Sequence, residues 1–335
     1  MSESRFYHIS PKGKLSGVAT VDAALVAAKD GGFLWLDYCQ PTKEELSRLI
    51  EPLGFHPLSI EDCLDEDQIP KMEEFPLNTF IIFNTFEYLN KKLSIGELDL
   101  FIGANFLVTV SQLNSENRRL LDGIEHIVER NIESAKRGPA FLMHVILDYV
   151  VDRKFLAIEA LEDELESREE AMLADLSSFV PADLLQSRRY LLILRKSLFH
   201  EREILIKICR KDCPFIPDKA IFHYRDIYDH LTKFYELTES YRDLVSSLME
   251  MYLSMLNNQM TKAANETNIS VRRLTLITTI FMPLTLLAGI GGMSEWSMMT
   301  GPANWKIAYP AFLLAICVIG FINFCLLKWF EKRKR

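Results

Sequence analysis

The chain lacks the marks of several common protein classes. It has no basic excess: 38 Lys and Arg stand against 46 Asp and Glu, a formal net charge of −8. Nucleic-acid binders need a positive surface to neutralise phosphates, so the balance argues against that class. The 6 cysteines (Cys39, Cys63, Cys209, Cys213, Cys317, Cys325) show no CxxC spacing, and two lie in apolar runs. They read as reduced thiols rather than a disulfide framework, with Cys209 and Cys213 the one spacing that leaves a thiol pair or weak metal site open. The opening MSESRFYHIS has no apolar core, so no secretory signal is expected and the N-terminus is expected in the cytosol. HEREI (200–204) lacks the second His of a metalloprotease helix and reads as helix surface; GIGGM (289–293) lacks the Lys of a phosphate loop. No nucleophile–base constellation emerges. The chain is expected not to be an enzyme, and no catalytic residue is assigned.

What is present is concentrated at the C-terminal end. From Leu274 to Ser294 there is no charge over about 21 residues, enough to cross a hydrocarbon core as a helix. Ile307 to Leu327 is a second run of the same kind. Inside lipid the backbone must satisfy its own hydrogen bonds, so both runs are expected to be helical. Arg272 and Arg273 precede the first; Lys328, Lys332, Arg333, Lys334 and Arg335 follow the second, and the connecting loop offers only Lys306. Basic residues stay on the cytoplasmic side, so both termini are expected inside a cytoplasmic membrane and the loop outside. Trp296, Trp305 and Trp329 suit the interface belts.

The rest, long enough for further domains, reads as soluble. GGFLWLDY (31–38) reads as a strand after a Gly-Gly turn, TKEELSRLIEPLG (42–54) as a capped helix closed by Gly54, and 78–89 and 97–111 as strands. Together they suggest an α/β layer structure. From about 116 onward the pattern is helical: 140–175 with an apolar stripe and an acid-rich later face (Glu159, Glu162, Asp163, Glu164, Glu166, Glu169, Glu170), then 181–211, then a helix from Asp218 with no Pro or Gly before Pro283. The acidic face is either solvated surface or a cation-attracting one. The last helix is expected to run unbroken into the first span. So long a helix needs partners, and other copies of the chain are the natural ones. The expected division is 1–135 α/β domain, 136–270 helical stalk, 271–294 first span, 295–306 external loop, 307–329 second span and 330–335 basic tail.

At helical spacing the first span presents Asn268, Val271, Leu274, Thr278, Met282 and Thr285 along one side, mostly small or mildly polar. Such a stripe either packs helix on helix or lines water. Threonines at successive turns favour water, so these six residues are the candidate pore lining.

FHPLSIEDCLDEDQIPKMEEFP (55–76), RDIYDHLTKFYELTESYRDLVSSLMEMYLS (225–254) and LTLITTIFMPLTLLAGIGGM (274–293) closely resemble the CorA-type metal-ion transporter family. The resemblance runs from about Trp35 to the basic tail. It implies a funnel-shaped homopentamer: an α/β domain and stalk helices in the cytosol, a pore-lining first span, a surrounding second span, and an external loop that forms the ion entrance. It implies passive transport of divalent cations, typically Mg2+, with Co2+, Ni2+ or Zn2+ in some branches, and Mg2+ or Zn2+ as transported and regulatory ion. The partners implied are the lipid bilayer and further copies of this chain, and no nucleic acid.

The family's Tyr-Gly-Met-Asn signature falls on Gly291, Gly292, Met293 and Ser294, so Gly and Met match while the aromatic and the asparagine do not. Gly292, Met293, Ser294 and Glu295 are the candidate entrance. Ser294 offers a hydroxyl with less reach than an Asn carbonyl, and Glu295 would add a carboxylate ring that selects cations. The stalk is about seven residues longer than the family pattern, two helical turns, which keeps the pore face in register. In the family, acidic residues at a subunit boundary bind a regulatory ion; Asp226 falls at one of them, with the opposing acid expected around 87–90. The alternative function is a membrane-anchored ion sensor or scaffold that keeps this fold without conducting.

Overall fold

The structure is a computed structural model, and it describes residues 4–65, 68–114, 117–292, 301 and 304–333. Contacts divide the chain into two units, Met1–Tyr252 and Leu253–Arg335.

The first unit is built on a seven-stranded sheet in the order β2-β1-β3-β7-β6-β5-β4. Its strands are β1 (Arg5–Ile9), β2 (Leu15–Val18), β3 (Phe33–Cys39), β4 (Met72–Glu74), β5 (Asn78–Leu89), β6 (Lys92–Gly103) and β7 (Phe106–Ser111). Only the central β3–β7 pair is parallel; every other pairing is antiparallel. Both strands of that pair are buried throughout, as a parallel pair covered on both faces must be. The 97–111 segment, read from sequence as strand, is two strands. Ala104 and Asn105 turn the chain between β6 and β7, and a Cβ on Gly103 would sit 2.3 Å from the Phe106 ring, so the turn needs glycine there. The long β5–β6 hairpin closes on Asn90 and Lys91 with φ of 50° and 63°, the left-handed pair of a two-residue loop.

Helices cover both faces. Helices α1 (Val21–Ala27), α2 (Lys43–Ser47), α3 (Ile50–Leu53) and α4 (Pro57–Asp62) bury one face through Leu36, Leu49, Phe80, Phe101 and Val108. The expected 42–54 helix has its capping box, Thr42 with Glu45, and its Gly54 stop at φ 70°, but it breaks into α2 and α3. After α5 (Ile124–Arg130) and α6 (Ile132–Ala135) come α7 (Pro139–Ala174), packed on β5, β6 and β7, α8 (Pro181–Cys209) and α9 (Asp218–Gly291). The Tyr224 hydroxyl on α9 donates to the Ala140 carbonyl at the start of α7 (2.6 Å).

HEREI is only partly helix surface: Glu203 is exposed and His200 and Arg202 are half-exposed, but Glu201 and Ile204 are buried. Glu201 is fully buried in an ion pair with Lys154 of α7, and it accepts the backbone N–H of Asn84 on β5 (2.9 Å). The Lys154 ammonium sits 4.0 Å from the Phe83 ring centre. Burial pulls the Lys154 ammonium down to about 8, against the opposing pull of Glu201. A helix pattern with polar residues at regular steps does not reveal that one of them faces a buried amine on another helix.

The second unit holds residues 253–291 of α9 and the helix α10 (Trp305–Arg333). Among the described residues these are the two helices long and apolar enough to cross a membrane, with mean hydropathy of 1.9 and 2.5 in their best windows. The 74-residue α9 is continuous past Pro283, as the sequence implied.

Candidate ion pathway and regulatory cluster

The two faces of the first span differ. Leu276, Ile280, Pro283, Leu284, Leu287 and Gly291 are half-buried, and at Leu284 and Gly291 the neighbour is α10. A Cβ on Gly291 would meet the Phe312 ring at 2.3 Å, and one on Gly320 would meet Leu284 at 3.3 Å. Glycine on each helix lets the two backbones approach.

Asn268, Val271, Leu274, Thr278, Met282 and Thr285 are all exposed, Met282 by 72% and Leu274 by 65%. At about 100° per residue, these six lie roughly 120–180° around the helix from Ile280. The candidate stripe is therefore turned away from α10. Arg273 lies about 20° from Ile280, well away from the stripe, while Arg272, about 80° from Ile280, stands about 40° from Asn268 at the stripe's inner border.

The stripe's polarity is directional. Thr278 and Thr285 donate their hydroxyl protons to the carbonyls four residues back, Leu274 (2.9 Å) and Phe281 (2.8 Å). Thr275, about 140° from Ile280 and so on the same side, does the same to Val271 (2.9 Å). A hydroxyl whose proton is committed to the helix offers only lone pairs outward. At these threonines the surface then accepts and does not donate, which suits a hydrated cation. Gly292 follows the last residue of α9, its N–H bonded to the Ala288 carbonyl (3.0 Å). Met293, Ser294 and Glu295 lie outside the described residues.

Asp226 stands on α9 in the first unit, and sequence reasoning missed its company. On α7, His144, Asp148 and Asp152 follow one another at four-residue steps, and on α9 His223, Asp226 and His230 follow at three and four. The two rows face each other. His144 and His223 have ring centres 4.8 Å apart, and Phe141 meets His223 edge-on at 5.8 Å. Burial pulls the His144 imidazole down to about 4, with repulsion from His223 adding to it and Asp226 opposing. Its Nδ1 is buried with no hydrogen-bond partner. Burial raises the Asp148 carboxyl, Asp226 repels it further, and His230 and His223 offset part of this. Asp152 is raised by burial and then by Asp148. The signal for this cluster was the i, i+4 spacing of acid and histidine on two helices, which amphipathic pattern reading treats as surface.

Among the described residues, no three His, Cys, Asp or Glu groups within the chain stand where they could together hold one metal ion. The expected opposing acid is committed elsewhere: Glu87 accepts from Asn114 Nδ2 (2.9 Å) and pairs with Arg153 (3.4 Å). Part of the acid-rich face of α7 is also engaged, Glu164 with Arg168 (2.9 Å) and Lys91 (3.2 Å). None of the six cysteines forms a disulfide, and Cys213 reaches Thr79 rather than Cys209.

The family model described as "CorA-like Mg2+ transporter protein" matches residues 30–333. The cobalt/magnesium transport protein CorA of Thermotoga maritima is 32% identical over 293 residues, which span 86% of this chain and 79% of that protein. Among solved structures, the complete CorA magnesium transporter from Methanocaldococcus jannaschii has a TM-score of 0.70 at 22% identity, covering 99% of this chain and 98% of that one. The full-length CmaX protein gives 0.67 at 19%, covering 98% and 97%.

Proposed function

This chain belongs to the CorA-like Mg2+ transporter family, and from that membership we propose that it conducts divalent cations passively along the stripe Asn268, Val271, Leu274, Thr278, Met282 and Thr285. The protein is a divalent metal cation transporter of the CorA type, in the membrane through its two spans. The observation that carries the pathway is the opposition of faces: α10 covers one side of α9, and the acceptor-bearing side is left bare in a single chain. That side is amphiphilic, with Met282 and Leu274 beside Thr278 and Thr285. Lipid would leave the threonine acceptors unused. A ring of copies, five in this reading, would bring the stripes around a common axis and wet them. Gly292, Met293, Ser294 and Glu295 would form its mouth, with both termini in the cytosol. Mg2+ keeps its waters reluctantly exchanged and favours oxygen ligands; a wide mouth of Ser294 hydroxyls and Glu295 carboxylates would pass such an ion hydrated.

Asp226 and its neighbours are the regulatory half-site in this reading. Asp148, Asp152 and Asp226 repel one another, and a divalent ion would relieve that repulsion. The described residues of one chain supply too few ligands, so in this reading a second copy completes the shell, and ion binding would then hold subunits together in the closed assembly. The test is uptake of Mg2+, Zn2+ and Co2+ into liposomes carrying the purified protein. Uptake above empty liposomes that saturates with ion concentration supports conduction. A correctly inserted protein that passes none of the three is a sensor or scaffold, the reading favoured by serine at 294 in place of asparagine.

A further inference from the structure

The end of α4 packs on β6 through a group of acids that the transport reading does not use. Asp99, only 2% exposed, points from β6 into the helix-covered face of the sheet, with Ile82 and Val110 as its cross-strand neighbours. It is hydrogen-bonded to the Cys63 thiol and to Glu97, two residues along the same strand. Its Oδ1 is buried with no partner. A cavity of about 160 Å3 opens beside it, lined by Cys63, Asp65, Glu97, Ser111 and Gln112. Glu97 also accepts the backbone N–H of Gln68 (3.0 Å).

Two carboxylates in contact inside a sheet cannot both stay ionised without a counter-charge. The charged groups around them are mostly of the same sign. Asp62, Cys63 and Asp65 come from α4 and the turn after it, and the end of β7 and the residue after it line the cavity with neutral Ser111 and Gln112. Lys71, the nearest base of β4's approach, is held by Asp62 (2.8 Å) and Glu73 (2.9 Å). Lys196 and His200 of α8 border the neighbouring cavity at the Glu97 end.

We propose that Asp99 and Glu97 share one proton, and that its loss as pH rises loosens the end of α4 from β6. Burial first, and then repulsion from Glu97, lift the Asp99 carboxyl well above its ordinary range. The sign follows: an acid raised in the folded state binds its proton there more tightly than in the opened one. The contact is therefore fully stable at low pH and weakens as pH climbs from the ordinary carboxylate range toward the raised value.

The test is hydrogen–deuterium exchange on the full-length protein in lipid nanodiscs, between pH 5 and 8, with rates corrected for chemical exchange. Wild type is expected to open faster at the end of α4 with rising pH, by up to about tenfold per pH unit. Asp99→Asn keeps the shape and donates permanently to Glu97, so its profile is expected to be flat; Glu97→Gln is expected to be flat as well. A wild-type profile without slope, or a slope kept in both variants, overturns the proposal. Infrared difference spectra give a second reading: a protonated-carboxyl band at neutral pH that Asp99→Asn removes. Loss of that band on adding Zn2+ at constant pH would make the cluster a metal site and overturn the shared proton.

Discussion

The two units of the chain satisfy themselves to different degrees. In Met1–Tyr252 the buried core runs from Ile9 to Leu248, and two of its buried ion pairs are closed within the chain, Lys154 with Glu201 and Arg119 with Asp37. In Leu253–Arg335 no described residue is fully buried. Leu274, Phe281, Met282, Leu286, Leu314 and Phe321 are each more than half exposed. The first unit is specified by its own contacts. The second has no buried core among its described residues, and its sequence is apolar along the two exposed spans. The Asp226 cluster belongs to the first unit yet is less settled than those ion pairs, since Asp148 is repelled by Asp226 and only partly offset by His230 and His223.

This contrast can be broken at several points. The largest effect is expected at the buried ion pair. Glu201→Ala strands Lys154 and the Asn84 N–H inside the first unit and should cost about 3–5 kcal/mol, measured by denaturant unfolding of the detergent-solubilised protein. Next is a matched pair. Leu161→Ala, at a fully buried position of α7, should cost about 2–5 kcal/mol. The same change at Leu274, on the exposed stripe, should shift stability by less than about 0.5 kcal/mol while altering ion flux. Equal losses of stability at the two leucines would mean that the second unit has a core of its own. Smaller still is the effect at the cluster. Asp226→Lys replaces a carboxylate by a tethered cation, so protease protection of the first unit should depend less on added Mg2+ or Zn2+. Protection that responds to the ions as in wild type would remove Asp226 from the regulatory site.

Much of this was legible in the sequence because it rests on local signals. The spans show as uncharged runs, α9 as a stretch without Pro or Gly, α2 through Thr42 and Glu45, and β5 through its aromatic and β-branched residues. The stripe 268–285 was legible as helical periodicity, and the structure adds which side α10 takes. What escaped depends on pairing between distant segments. Glu201 reads as surface until Lys154, 47 residues away, is seen beneath it. The alignment of His144, Asp148 and Asp152 with His223, Asp226 and His230 needs the packing of α7 on α9. Asp99 sits in a β-rich run, and nothing local says that Cys63 and Glu97 enclose it.

The opposition of faces on α9 is tested most directly by thiol accessibility during transport. Cys317 and Cys325 would first be replaced by serine, and single cysteines then placed at Thr278 and Thr285 on the bare side and at Ile280 and Leu284 on the α10 side. A charged, membrane-impermeant thiol reagent is expected to stop Mg2+ or Zn2+ uptake into liposomes at 278 and 285, and to leave it unchanged at 280 and 284. Block at 280 and 284 with none at 278 and 285 would contradict a cation pathway along this stripe.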